Sequence, residues 1–217
     1  MRVILLTDIH GDTEKLGKIL EQEEYDAVLC AGDLSDANKF DDYEGKLLEV
    51  IEEFEKEGKM TKAVPGNMDP EEECVRNLIQ KRMNIHKKIA SFEDFEAVGF
   101  GGGKTPFGTP FEPEGEEIRN ALSTLYDRMK NETRVAVIHQ PPKNCLDEVD
   151  GNHVGSEEVK ELIEEKDFEL VLTGHIHEAR GREQLGGATV VNPGPVLEGF
   201  YAVADLHDGL ELEMKQL

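Results

Sequence analysis

Apolar and polar positions along this chain fall into a repeated unit: a short unbroken apolar run, a polar residue, then an amphipathic stretch. Val3–Leu6, Ala27–Cys30 and Val135–Ile138 are such runs, and Phe168–Leu172 and Lys62–Val64 read in the same way. Apolar runs of this length, bounded by turn residues, predict strands buried on both faces. Between them the apolar period is close to four. It predicts helices over about 13–23, 43–56, 71–80, 114–131 and 157–166, with Leu47, Leu48, Ile51 and Phe54 on one face of the second and Ile118, Leu122 and Leu125 inward on the fourth. Asp12 or Thr13, and Ser156, stand where helix caps are expected. Further strands are predicted over 84–88 and 92–99, and alternating ones from about 179 to 214. Strand–helix alternation places the chain in the α/β class, as either two packed sheets or one doubly wound sheet. No linker or low-complexity segment divides it, so one domain over 1–217 is expected.

Composition narrows the function. Without Trp and with 6% aromatics, the core must be mainly aliphatic. Lys plus Arg number 24 against 47 Asp plus Glu, a net charge of -23, which fits solvated acidic helix faces and argues against a groove tracking long nucleic acid. Cys30, Cys74 and Cys145 are far apart and form no C-x-x-C, so neither a disulfide framework nor a structural zinc site is indicated. The opening is unlike a signal peptide, and no window nears the roughly 20 apolar residues of a membrane span. A cytoplasmic protein is expected.

The apolar runs end in side chains that can hold metals. The first ends in Asp8 and His10, whose i, i+2 spacing would send both to one side of an extended backbone. The second ends in Gly32-Asp33, the third in Gly66-Asn67, the fourth in His139, and the fifth in Gly174-His175-Ile176-His177. Each alone has an ordinary explanation as a cap, turn or buried polar residue; five endings in a row do not. The imidazoles favour a transition metal over magnesium or calcium. Gly101-Gly102-Gly103-Lys104-Thr105 invites a phosphate-loop reading, but Val98 stands where that motif needs its first Gly, and Pro106 follows where a helix should begin. Residues 101–113 are expected to be a loop beside the site.

In order, the segments DIH, GD, GN-x-D, H and GHIH resemble the calcineurin-like metallophosphoesterases, and HQPP, HVGS, GHIHEARG and NPGP resemble that family's small prokaryotic Icc-related members. The resemblance implies a four-layer fold, two mixed β-sheets flanked by helices. It also implies two divalent transition-metal ions, manganese first, with iron, zinc or nickel as alternatives. Asp8, His10, Asp33 and His177 would hold one ion; Asp33, Asn67, His139 and His175 would hold the other, with Asp33 bridging. A metal-bridging hydroxide would attack a phosphate ester.

One position departs from the pattern. The family's Gly-Asn-His becomes Gly66-Asn67-Met68, and Met has no proton to give a leaving group. Losing a general acid typically costs ~10²–10⁴ in rate. The expected activity is therefore on small, nucleotide-like phosphodiesters rather than monoesters, with Asp33 and Asn67 as catalytic groups. His153, in Gly151-Asn152-His153, is a candidate for contacting substrate or replacing the missing acid, and Arg180 a candidate for gripping phosphate. The alternative is a metal-binding scaffold or partner-binding module of low activity. Homo-oligomerisation is left open.

Overall fold

A computed structural model describes residues 1–217. In chain order the elements are β1 (Arg2–Leu6), α1 (Thr13–Gln22), β2 (Ala27–Cys30), α2 (Tyr43–Glu55), β3 (Met60–Ala63), α3 (Glu71–Gln80), β4 (Lys88–Ser91), β5 (Glu96–Phe100), α4 (Gly115–Tyr126), β6 (Arg134–Ile138), β7 (Glu148–Val149), β8 (Asn152–His153), α5 (Glu157–Glu165), β9 (Leu170–Leu172), β10 (Gly181–Leu185), β11 (Ala188–Asn192), β12 (Phe200–Asp205) and β13 (Glu211–Gln216). Short 3₁₀ turns cover His177–Ala179 and Val196–Glu198. No helix is long and apolar enough to cross a membrane.

Two mixed sheets pack face to face. One has the order β13-β12-β1-β2-β3, the other β10-β11-β9-β6-β5-β4. Side-chain alternation along β1 shows why its apolar run is unbroken. Val3 and Leu5 join the core between the sheets with Leu29, Val135, Val137, Leu170 and Leu172. Ile4 and Leu6 point the other way, onto Leu16, Ile19, Leu47, Ile51 and Phe54 of the covering helices. The outer face of the second sheet is closed in the same manner, Ala136 and Ile138 meeting Ile118, Leu122, Val159 and Leu162 of α4 and α5. Four layers result, with helices outside and sheets inside, and an aliphatic core in each gap.

β1, β2 and β3 run parallel, as do β5, β6, β9 and β11. The loops after β1, β2 and β3 and those after β6 and β9 therefore emerge at the strands' carboxyl ends, where open sheets assemble ligand sites.

Several boundaries depart from the sequence reading. β4 spans Lys88–Ser91, while Asn84 and His86 make only isolated bridges to Ala63 and Gly99. Phe92 and Phe95 stack on each other across the turn into β5, which begins at Glu96 rather than near 92. α4 stops at Tyr126, because Tyr126 turns to Arg134 and Phe168 and fastens the chain there. Asp12 and Ser156 do cap α1 and α5, accepting from Lys15 N at 3.0 Å and Val159 N at 3.2 Å.

His86 fastens β4's approach to the strand-end loops. Its Nδ1 accepts from Gly101 N at 2.9 Å and its Nε2 faces Glu71 Oε1 at 3.1 Å, a pattern only the neutral ring satisfies. Burial, reinforced by the Lys87 charge, pushes its pKa from 6.5 to about 4. The unfolded ring thus binds its proton first, so the stability His86 contributes is complete above about pH 6.5 and drains away as pH falls toward 4. Between pH 7 and pH 5 this one group should remove about 2 kcal/mol. Urea unfolding at the two pH values is expected to show a drop smaller by about that amount in His86→Gln than in the wild type; equal drops would contradict it.

Candidate metal centre

β1 ends at Leu6, so Asp8 and His10 do not share an extended strand. Both lie in left-handed backbone, φ 54 and 47, as do Asp33 at 50 and His175 at 72. The two-residue spacing brings the side chains together by turning the chain, not by pleat alternation. His177 likewise sits on a 3₁₀ turn rather than a strand end. Left-handed backbone costs a non-glycine residue roughly 1–2 kcal/mol, and here neighbouring loops hold it in place. Asp8 N donates to Gly32 O and His10 N to Asp33 O, both at 2.9 Å, so the ladder between β1 and β2 continues beyond the strands.

Two groups of donors meet. In the first, Asp8 Oδ1 lies 3.3 Å from His177 Nε2 and 3.9 Å from His10 Nε2, and the two imidazole nitrogens are 3.4 Å apart. In the second, Asn67 Oδ1 lies 2.8 Å from His139 Nε2 and 2.7 Å from His175 Nδ1. Asp33 stands between them, its Oδ2 3.7 Å from His10 Nε2 and 3.6 Å from His139 Nε2. Its other oxygen accepts from Met68 N at 2.8 Å, which fixes which oxygen faces the site.

The arrangement is short of cations. Asp8 Oδ1 and His10 Nδ1 are buried without a hydrogen-bond partner. His139 donates its Nδ1 proton to Ala31 O at 2.6 Å, and His175 its Nε2 proton to Lys104 O at 3.1 Å. Each imidazole therefore turns a bare lone pair on the Asn67 oxygen, and three acceptors face one another with no proton to share. A carbonyl accepting from the remote nitrogen of a metal-binding His is the usual outer support for such a ligand. Charge tells the same story. Burial lifts the Asp33 carboxyl well above its ordinary range, and the Asp8 and Asp69 carboxylates lift it further. Burial would raise Asp8 too, but His177, His139 and His10 hold it below the usual range. Burial drives the His139 pKa to about 3 and lowers that of His175. His177, where burial is outweighed by Asp8, is raised. The neutral imidazoles of His139 and His175 and the crowded carboxylates suit divalent cations, and the mixed nitrogen and oxygen set suits transition metals.

Supporting groups surround the donors. Asp69 is fully buried and braces two loops: its oxygens accept from Leu34 N, Ser35 N, Gly66 N and the Tyr43 hydroxyl. Thr7 Oγ1 donates to Asp8 Oδ2 at 2.6 Å. Gly66 passes so near Asp33 that a Cβ there would lie 1.9 Å from Oδ1. The loop after β5 does flank the site: Gly103 packs on His175, and Lys104 N donates to Gln140 Oε1 at 2.7 Å.

The structure brings Asp8, His10, Asp33, Asn67, His139, His175 and His177 together. Arg180 is not among them. Its guanidinium donates to Pro193 O and Lys215 O and lies 4.5 Å over the Phe200 ring, so it ties β11 to β12 and β13 and hydrogen-bonds none of the seven. His153 bonds none of the seven; its Nδ1 is held by Asp147 Oδ1 at 2.7 Å. Thr7, Asp69, Asp147 and the Lys104 carbonyl were not foreseen. Asp69 sits visibly in the GN-x-D segment, but a backbone carbonyl leaves no trace in residue type.

A family model described as calcineurin-like phosphoesterase matches residues 1–179. An uncharacterized protein of Methanocaldococcus jannaschii, MJ1162, is 34% identical over 205 residues, covering 90% of this chain and 88% of its own. Among solved structures, TT1561 of Thermus thermophilus superposes with a TM-score of 0.80 at 24% identity, covering 99% of this chain and 98% of that one. A dimetal phosphatase from Danio rerio superposes with a TM-score of 0.73 at 14% identity, covering 100% and 96%. At these identities the two structures show a shared fold.

Proposed function

Since the chain belongs to the calcineurin-like phosphoesterase family, whose members are metal-dependent phosphoester hydrolases, we propose that it hydrolyses small phosphodiesters with two divalent transition-metal ions, manganese foremost. The observation that carries the reading is the placement of Asp33 Oδ2, nearly equidistant from His10 and His139, between two groups of inward-facing ligand atoms. Asp8, His10, His177 and Asp33 would hold one ion; Asn67, His139, His175 and Asp33 the other. Such a pair supplies Lewis acidity, acidifying water and neutralising phosphoryl oxygens during displacement.

The chain's own groups set up the rest. Ala31 O and Lys104 O fix the tautomers of His139 and His175, and so aim both lone pairs inward. Asn67 is positioned by its loop, which Asp69 locks to the loop after β2. Met68, half-buried beside Asn67, offers no proton of its own to a leaving group, which supports diesters over monoesters. The net charge of -23 supports small substrates over long nucleic acid.

Protein stripped with chelator and reloaded separately with manganese, nickel, zinc and magnesium would be assayed on bis-p-nitrophenyl phosphate and p-nitrophenyl phosphate. Manganese is expected to restore hydrolysis, faster on the diester. It should also raise the unfolding temperature, since the ions bind the folded chain. Protein shown to hold two ions yet inactive with every metal would replace this reading with the metal-binding scaffold that Met68 also permits.

A further inference from the structure

His153 and Asp147 form a second constellation, separate from the seven metal donors. Asp147 is 1% exposed. Its Oδ2 accepts from Asn144 N at 3.1 Å and Gly155 N at 2.8 Å, and its Oδ1 from His153 Nδ1 at 2.7 Å. The carboxylate is thus held by three donors, while the His153 side chain is 44% exposed. The chain is bent hard to achieve this: Asn144, Leu146 and Asp150 all adopt left-handed backbone, at φ 61, 51 and 50. Strain of this kind gathers at functional segments.

The hairpin of β7 and β8 lies beside the 3₁₀ turn His177–Ala179. β7 packs against the turn that carries His177, and His153 is paired across the hairpin with Glu148 of β7. Val154, the next residue, lines a cavity of about 200 Å³ with Lys104 and Gln140. Lys104 is the residue whose carbonyl holds His175, and Gln140 follows His139 directly. The hairpin therefore lies beside the His177 turn, and the residue that follows it shares a cavity with the sequence neighbour of His139 and with the residue that holds His175.

We propose that His153, held by Asp147, is the proton donor to the leaving group, filling the role Met68 cannot. The proposal rests on the hydrolase reading above. A buried carboxylate that accepts from Nδ1 fixes the orientation of the ring and leaves Nε2 as the nitrogen for proton transfer. Water oxygen adds to phosphorus, the bond to the leaving oxygen breaks, and Nε2–H passes its proton to that oxygen. The proton lost by the water returns the ring to its charged form. One water is consumed, and a monoester and an alcohol are released. His153 would act as a catalytic residue and Asp147 as a positioning residue.

The test is a series of phosphodiesters whose leaving groups run from p-nitrophenol through phenol to a simple alcohol. Wild type, His153→Ala, His153→Gln and Asp147→Asn would be compared, each manganese-loaded and checked for two ions per chain. Both His153 variants are expected to lose ~10²–10⁴ in kcat/KM on the alkyl ester but no more than about tenfold on the p-nitrophenyl ester, so that dependence on leaving-group pKa steepens. Asp147→Asn should steepen it in the same sense and less. A purely structural role would lower every ester alike, and that result, or no loss on the alkyl ester, overturns the proposal. The exposed His153 variants keep it falsifiable should Asp147→Asn misfold. Wild type inactive on every ester overturns the hydrolase reading and this one with it; an active wild type with unaltered slopes in the variants overturns the pair alone.

Discussion

Asp33→Asn is expected to cut manganese-restored hydrolysis of bis-p-nitrophenyl phosphate by about 10³-fold or more, the several kcal/mol that metal-ion electrophilicity supplies. Charge loss is half the reason. The other half is orientation. Met68 N needs an acceptor, and at present Asp33 Oδ1 serves it at 2.8 Å. In the variant the amide oxygen must take that place, which turns the NH₂ group toward His10 and His139. Two donor hydrogens would then occupy the one direction from which both cations are shared. Elemental analysis should find fewer than two ions per chain. Full metal content with wild-type turnover would remove Asp33 as the bridge.

Asp69→Ala should have the largest effect on stability. It deletes four accepted hydrogen bonds in a site without solvent, and strands the N–H groups of Leu34, Ser35 and Gly66 together with the Tyr43 hydroxyl. Each stranded group costs about 1–3 kcal/mol, with relaxation reducing the sum. For a chain of this length about 4 kcal/mol corresponds to a fall of roughly 10 °C in Tm, measured on chelator-treated protein so that metal binding does not contribute. The loops carrying Asp33 and Asn67 come apart together, so manganese affinity should fall as well. A Tm within two or three degrees (about 1 kcal/mol) of wild type would show the brace to be dispensable.

Much of this centre was legible in the order of residues, and the reason is architectural. A parallel strand buried on both faces must be apolar throughout, so the first polar residue beyond it stands out, as Asp33 does after Ala27–Cys30 and His139 after Val135–Ile138. Which strands neighbour one another is not written locally. β1 lies between β2 and β12, nearly two hundred residues downstream, and no pattern in β1 announces that partner. Side-chain commitment is equally hidden. Arg180 resembles any arginine near a phosphate site until Pro193 O, Lys215 O and Phe200 are seen to surround it. The i, i+2 spacing of Asp8 and His10 pointed to the correct pairing by an incorrect route, because spacing does not report the sign of φ.

That sign sets the centre against the rest of the molecule. Asp8, His10, Asp33 and His175 each hold a conformation that glycine would adopt without penalty. Selection for heat resistance of the metal-free chain would therefore favour trading these positions for glycine or reshaping their turns, and a chain relieved of its ligands would gain robustness in that state as it lost both its chemistry and the stabilisation bound ions give. The reverse holds for anyone engineering this scaffold. Stabilising substitutions belong on the outer helices, and libraries screened for survival on heating without metal will erode the metal centre first.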